Sequence, residues 1–387
     1  MRDAEHYPSP LPRVVVEGTA IERGRQYGAQ ARVRIHRSIG HYRALFAHRA
    51  GLDWPSAVAR AAGYKRDIGR FAPQCLEEMA GIAEGAGVGL GDILALNARS
   101  ELMFTAAARK AAAPGLAGEC TSFAVLPEAS ELGHTIVGQN WDWLPFACDT
   151  AMILEVHRDD GPNFLSILEA GHLAKIGVNA AGLAVCTNTL VSLADDGRQG
   201  VPYHVLLRVL LDAETMTEAL RTLYAARRAF SGNYLIAHAD GLAADVETIA
   251  GGASGVHVVM PEGGLLAHAN HFLSPAFARL DARLATHPNT LFRADALGRA
   301  LGKAAPAVGL EHLKAALRGH LNHPDGVCSH PDERAHPLER RATIMSMIAD
   351  LNEGCIWLTP GPPCASDYRP YAYRAALERT LETADTP

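Results

Sequence analysis

From Cys120 onward the chain reads as short strand patterns in pairs, separated by helical patterns in pairs. A parallel sheet fed by crossover helices has no use for that order. Strand patterns cover 120–127, 134–140, 151–157, 163–169 and 183–189, with Gly161-Pro162 and Ala181-Gly182 as breakers. Helical patterns follow over 202–212 and 214–230. Strands return at 233–238, 243–248 and 257–260, a second helical group covers 274–318, and strands at 342–350 and 354–359 close the series. The expected fold class is therefore α+β, with two antiparallel sheets held between helical layers. The glycine-rich run 85–91 has glycine at every second position, misses the G-x-G-x-x-G spacing, and reads as a loop after a helix.

Before Cys120 the pattern is different. Residues 20–108 are helical in period and rich in Ala and Arg, and Pro55 and Pro73 suit helix first turns. Between the two regimes lies Lys110-Ala111-Ala112-Ala113-Pro114-Gly115-Leu116-Ala117-Gly118, which reads as an exposed approach to the strand at Cys120. The chain thus divides into 1–119 and 120–387. A cysteine that opens a strand is usually a small buried hydrophobe. Its thiol is also able to attack the preceding carbonyl, giving a thioester that water hydrolyses to release residue 119. The new α-amine, of ordinary pKa about 7.7–8.0, then serves as base toward its own thiol.

Composition removes several function classes. The 387 residues are 48% hydrophobic and 20% charged, enough for a large core, and a formal charge of −6 leaves no basic footprint for nucleic acid. No run approaches the roughly 20 apolar residues of a membrane span, and the polar stretch 1–13 does not read as a secretory signal. The seven cysteines are odd in number and form no C-x-x-C pair, so free thiols and a cytoplasmic location are expected.

Glu119-Cys120-Thr121-Ser122-Phe123, followed by Gly138-Gln139-Asn140-Trp141-Asp142-Trp143, resembles the acyl-coenzyme A:isopenicillin N acyltransferase family of N-terminal nucleophile hydrolases. Upstream blocks with the same likeness are Gly18 to Gly28, Gly81-Ile82-Ala83-Glu84-Gly85 and Leu96 to Leu102. Downstream ones are Ser231-Gly232-Asn233-Tyr234-Leu235, His268-Ala269-Asn270-His271 and Thr343-Ile344-Met345-Ser346. The resemblance implies a four-layer αββα sandwich, a helical propeptide over 1–119, and activation by self-cleavage at Glu119-Cys120. It also assigns roles. Cys120 is the nucleophile, Asp142 holds it in geometry, Asn233 supplies an oxyanion donor, and Arg293 is the cation nearby, with Arg279, Arg283 and Arg299 as alternatives. Trp141 and Trp143 are core or pocket wall. The implied substrate is a small-molecule amide or thioester, with a coenzyme A thioester as a candidate acyl donor, no resident cofactor, and the cleaved N-terminal fragment as partner.

Two departures stand out. Glu119 occupies a position where the family commonly has Gly, and 128–133 lengthen the first hairpin, where only the turn is expected to feel them. Glu119 favours a second reading, an uncut, noncatalytic binding or scaffold protein with the same fold. A third reading, a metal-dependent hydrolase using His268 and His271, meets the objection that strand alternation puts the two rings on opposite faces. No metal site is expected. The absence of G-x-S-x-G argues against a serine elbow. His323-Pro324-Asp325-Gly326 and His330-Pro331-Asp332-Glu333 read as a surface loop.

Overall fold

In the computed structural model, which describes residues 11–109 and 119–378, the chain opens with strand β1 (Arg13–Val16) and a run of helices. These are α1 (Ala20–Gln30), α2 (Arg32–Ala50), α3 (Trp54–Ala62), α4 (Lys65–Phe71), α5 (Pro73–Ala86), α6 (Leu90–Asn97) and α7 (Arg99–Arg109). The approach segment 110–118 lies outside the described residues. The strand-rich part follows: β2 (Glu119–Val125), β3 (Ile136–Trp143), β4 (Ala151–Val156), β5 (Phe164–Glu169), β6 (Ile176–Asn179) and β7 (Leu183–Asn188). Helices α8 (Tyr203–Leu210) and α9 (Met216–Ala225) lead to β8 (Gly232–His238), β9 (Leu242–Thr248), β10 (Val256–Val259) and β11 (Leu265–His268). Then come α10 (Pro275–Ala278), α11 (Asn289–Ala304), α12 (Leu310–Leu317), β12 (Ala342–Asp350), β13 (Cys355–Thr359), β14 (Arg369–Tyr371) and α13 (Tyr373–Glu378).

Local chemistry sets the helix boundaries. Gly51 and Gly87 adopt the left-handed conformation that ends α2 and α5, at φ 59° and 70°. Asp53 caps α3 by accepting from the Ser56 amide at 2.8 Å, just ahead of Pro55.

The strands form an eight-stranded sheet, β1-β4-β5-β6-β7-β8-β9-β10, and a six-stranded sheet, β11-β2-β3-β12-β13-β14. Their inner faces are joined by polar side chains. The Gln139 amide exchanges two 2.8 Å hydrogen bonds with the backbone of Thr187, and Ser122 Oγ donates to Asn188 Oδ1 at 2.6 Å. On the outer face of the six-stranded sheet, Phe123, Val125 and Ile348 pack on Leu297 and Leu301 of α11 and Leu313 and Leu317 of α12. Against the eight-stranded sheet, Asn179 donates to the carbonyls of Leu211 and Ala213, and the Tyr203 ring of α8 lies directly under Gly232. The result is the expected αββα sandwich.

The wholly antiparallel expectation is corrected by β1, which pairs parallel with β4. It comes from far upstream, so no hairpin fixes its direction. Strands β6, β11 and β14 had no counterpart in the sequence reading because each has only three or four residues. The extra length at 128–133 reaches beyond its turn: Val308 donates to the Ala129 carbonyl at 2.9 Å, and Glu131 donates to the Val308 carbonyl at 3.2 Å.

The N-terminal helices grip the sandwich at the turn after β5. Tyr27 Oη accepts from the Gly171 amide at 2.8 Å, and Asn97 bridges the Gly171 carbonyl and the Leu173 amide at 2.9 and 2.8 Å. Within this segment α1 and α5 meet backbone to backbone. A Cβ on Gly24 would collide with the Glu78 carbonyl, one on Gly28 with Ile82, one on Gly81 with Ile21, and one on Gly85 with Arg25. Two interlocked G-x-x-x-G faces thus replace side-chain packing. Because backbone cannot yield as a rotamer can, Gly81→Ala is expected to lower stability by about 1–3 kcal/mol. Urea denaturation in a Cys120→Ala background measures this; an unchanged midpoint would contradict the packing account.

Candidate active site

Cys120 lies second in β2, opposite Trp141 of β3, and is 1% exposed. Strand alternation puts its side chain on the same inner face as Ser122. Its backbone is held at both ends. The Cys120 N–H donates to Asn270 Oδ1 at 2.7 Å, while its carbonyl accepts from Arg293 Nη1 at 2.8 Å. The same guanidinium donates to Thr121 Oγ1 at 2.7 Å and to Asn270 Oδ1 at 3.0 Å, and lies 4.0 Å from the Asp142 carboxylate. Arg293 is buried in α11, whereas Arg279 and Arg299 are exposed and Arg299 pairs with Asp295. Asn270 is fixed in turn: its N–H donates to Thr290 Oγ1 at 2.7 Å, and its Nδ2 donates to the Thr189 carbonyl at 2.9 Å.

Asp142 is buried within β3, between Glu119 of β2 and Thr343 of β12, and not in a hairpin turn. Thr343 Oγ1 donates to Asp142 Oδ1 at 2.5 Å and accepts from the Ser329 amide at 2.9 Å. Burial pushes the Cys120 thiol above its usual pKa. Lys175 opposes that rise most, the Asp142 carboxylate adds to it, and the Asp142 backbone N–H, hydrogen-bonded to the thiol, and Arg293 counter it. Lys175 is itself buried, which lowers its pKa to about 8, and its Nζ stands 4.7 Å from the centroid of the Trp141 ring. Sequence reasoning missed Lys175 and gave Asn270 no role. The available signals were a single cation in the apolar run Leu173-Ala174-Lys175-Ile176-Gly177-Val178 and an asparagine between two histidines.

Asn233 sits on the facing sheet, at the start of β8, opposite Asn188 of β7. Its Nδ2 donates to Asp245 Oδ2 at 2.5 Å, so its amide is engaged by a carboxylate. Burial raises Asp245 to about 6, with Glu247 adding to the rise. His268 lies beside both, 2.9 Å from Glu247 and 3.6 Å from Asp245. Burial works against a charged ring there, but the two carboxylates outweigh it and raise the His268 pKa. The opposite-face expectation for His268 and His271 is wrong. β11 ends at His268, and the two rings stack with centroids 6.2 Å apart. They do not share ligand geometry: His271 Nδ1 is 3.0 Å from Thr290 Oγ1, and Glu247 is already filled by the Leu273 and Ser274 amides.

The N-terminal helices close over this region. Arg99 donates to Tyr42 Oη at 2.7 Å and pairs with buried Glu169 at 3.3 Å, while Tyr42 Oη donates to Glu169 and accepts from Trp143 Nε1. The Arg99 guanidinium lies 4.3 Å from the centroid of the Trp143 ring, one residue beyond Asp142.

The family model of acyl-coenzyme A:6-aminopenicillanic acid acyl-transferases matches residues 130–364. The chain belongs to this acyltransferase family. The match contains Asp142, Asn233, Asn270 and Arg293 and begins ten residues after Cys120. A curated relative, the 40 kDa form of acyl-coenzyme A:6-aminopenicillanic-acid-acyltransferase from Emericella nidulans, is 27% identical over 206 residues, or 53% of this chain and 54% of the relative. The chain therefore spans about half the length of that relative. Among solved structures, a conjugated bile acid hydrolase variant from Clostridium perfringens aligns with TM-score 0.45 and 12% identity over 66% of this chain and 97% of that one. Penicillin V acylase from Agrobacterium tumefaciens aligns with TM-score 0.37 and 15% identity over 62% and 82%. No helix among the described residues is long and apolar enough to cross a membrane.

In this member of the acyltransferase family, Arg293 adds a polar tie between α11 and β2 to the packing of Leu297 and Leu301 on that strand. Arg293→Met takes away the guanidinium that donates to the buried Cys120 carbonyl and Thr121 Oγ1 and leaves Asn270 Oδ1 with the Cys120 N–H as its remaining donor. It is expected to cost about 3–5 kcal/mol, with Arg293→Lys losing part of that. Urea denaturation of both variants in the Cys120→Ala background tests this; two unchanged midpoints would contradict it.

Proposed function

We propose that this chain is the precursor of a cysteine amidohydrolase or acyltransferase that cuts its own Glu119-Cys120 bond and then works through an acyl-Cys120 intermediate. The carrying observation is that Cys120 is gripped on both sides of its backbone, by Asn270 and Arg293, with its thiol beside the Asp142 N–H and under the influence of Lys175.

In the first step Sγ gives its proton to neutral Lys175 and attacks the Glu119 carbonyl carbon. The C–N bond breaks as the Cys120 nitrogen takes up a proton, leaving Glu119 as a thioester on Sγ. Water then hydrolyses the thioester to a Glu119 carboxylate and a free thiol, leaving Cys120 with the α-amine that the broken C–N bond released. Asn270 Oδ1, already 2.7 Å from that nitrogen, keeps it in place after it becomes an amine. Arg293 and Asp142 fix the carbonyl side and the strand around it.

In turnover the α-amine accepts the thiol proton as Sγ attacks an amide or thioester carbonyl. The second N–H of the Asn233 amide, its first engaged by Asp245, is the oxyanion donor. Water or an amine then removes the acyl group. An acyl-coenzyme A donor, named in the family's description, suits a thiol that exchanges thioesters. Because Cys120 is 1% exposed in the uncut chain, an outside substrate reaches it only after the structure around it opens. β1 keeps the cut fragment on the sandwich through its pairing with β4.

Wild-type protein incubated after purification is expected to resolve into 1–119 and 120–387 by intact mass, with Cys120→Ala remaining whole and Glu119→Gly cutting faster. A wild type that stays whole would instead support the uncut binding-protein reading. The active form of Lys175 is the neutral amine, populated above its pKa of about 8, so the cutting rate should rise with pH through that value and level off above it. Lys175→Met is expected to remove this limb and slow cutting by about 100-fold or more. A rate flat from pH 6 to pH 9.5 on gels would exclude Lys175 as the base.

A further inference from the structure

Two connecting segments, α12–β12 and β13–β14, bring two cysteines and two histidines to one point. His320 follows α12, Cys328 and His330 lie in the segment before β12, and Cys364 lies between β13 and β14. Their ligand atoms are all within 4.8 Å of one another. We propose that His320, Cys328, His330 and Cys364 form a structural site for one divalent cation of borderline softness, zinc by its ligand set.

The distances carry the argument. Zinc bonded to nitrogen at about 2.0–2.1 Å and to sulfur at about 2.3 Å, in a tetrahedron, puts N···N at about 3.3 Å and N···S at about 3.6 Å. Here His330 Nε2 is 3.1 Å from His320 Nε2, 3.7 Å from Cys328 Sγ and 3.4 Å from Cys364 Sγ. Hydrogen bonding cannot explain that convergence. One imidazole nitrogen carries either one hydrogen or one lone pair and completes one of the three contacts. A cation at the centre satisfies all four groups. Two thiolates and two imidazoles with no open position are the donor set of a structural zinc site, not of a catalytic one.

The site has a purpose in the fold. The segments it would join are linked to each other and within themselves by bonds such as Cys328 N–H to the Gly319 carbonyl at 3.0 Å and Arg318 Nε to the Pro363 carbonyl at 2.8 Å. Ser329, between two of the ligands, donates to Thr343 Oγ1, which donates to Asp142. The cation thus anchors the backbone that orients Asp142, as a positioning element that touches no substrate. The sequence hid it because the ligands are 8, 2 and 34 residues apart, with no C-x-x-C or H-x-x-x-H spacing, and the His330 segment reads as an ordinary surface loop.

Full-length Cys120→Ala protein, reduced and metal-free, titrated with Co²⁺ is expected to take up one equivalent and develop the thiolate charge-transfer and tetrahedral d–d bands of an N₂S₂ site. Zn²⁺ should displace it. Cys364→Ser removes an exposed loop ligand without touching the core, and His330→Ala removes the central one. Each is expected to weaken the bands and metal retention by at least tenfold while circular dichroism stays unchanged. Wild-type-like spectra in both variants would overturn the proposal. So would Co²⁺ uptake without thiolate bands, or a Cys328–Cys364 disulfide in protein purified without reductant and lacking zinc. Because the readout is metal binding in a protein that cannot cut itself, its failure is distinct from failure of the proposed self-cleavage.

Discussion

A single buried guanidinium organises the centre of this protein. Arg293 reaches from α11 to the Cys120 carbonyl, Thr121, Asn270 and the vicinity of Asp142. The cost of burying a cation this deep is offset by hydrogen bonds and a nearby carboxylate, and here Nη1 and Nη2 donate three bonds while the Asp142 carboxylate lies 4.0 Å away. In return the guanidinium fixes the start of β2 from the outer helical layer. The strand that opens at Cys120 is therefore held by a helix more than 170 residues downstream.

The same logic binds the N-terminal segment to the rest. Its joint is polar as well as apolar: Arg99, Glu169, Tyr42 and Trp143 form one buried network, and β1 completes an edge of the eight-stranded sheet. These helices belong to the folded core of the described chain. The pairing of β1 with β4 joins segments about 140 residues apart and is intramolecular in the intact chain, so it needs no encounter between separate pieces.

Much of this was legible in the sequence, and the failures have physical causes. The alternation of strand and helix pairs predicted the two-sheet sandwich because each strand such as 151–156 or 164–169 carries its own pattern and breakers. β6, β11 and β14 are too short to show a period, and the parallel partner of β4 lies some 140 residues upstream. Cys120, Asp142 and Arg293 were found through local motifs and do come together. Asn233 lies on the facing sheet with its amide on Asp245, a partner no motif announces. Lys175 and Asn270 reach Cys120 through tertiary proximity, and the four metal-type ligands are drawn from two connecting segments, so neither set has a spacing to read. His271 was misplaced because a four-residue strand ends before alternation carries it to the opposite face.

The central claim is that Cys120 becomes an N-terminal residue carrying both nucleophile and base. A cyanobenzothiazole reagent condenses with a 1,2-aminothiol and so marks an N-terminal cysteine but no internal one. Intact-mass analysis after labelling should place one such adduct, stable to thiol exchange, on a fragment beginning at Cys120 and ending at Pro387. A full-length chain of 387 residues with no stable adduct would contradict the account.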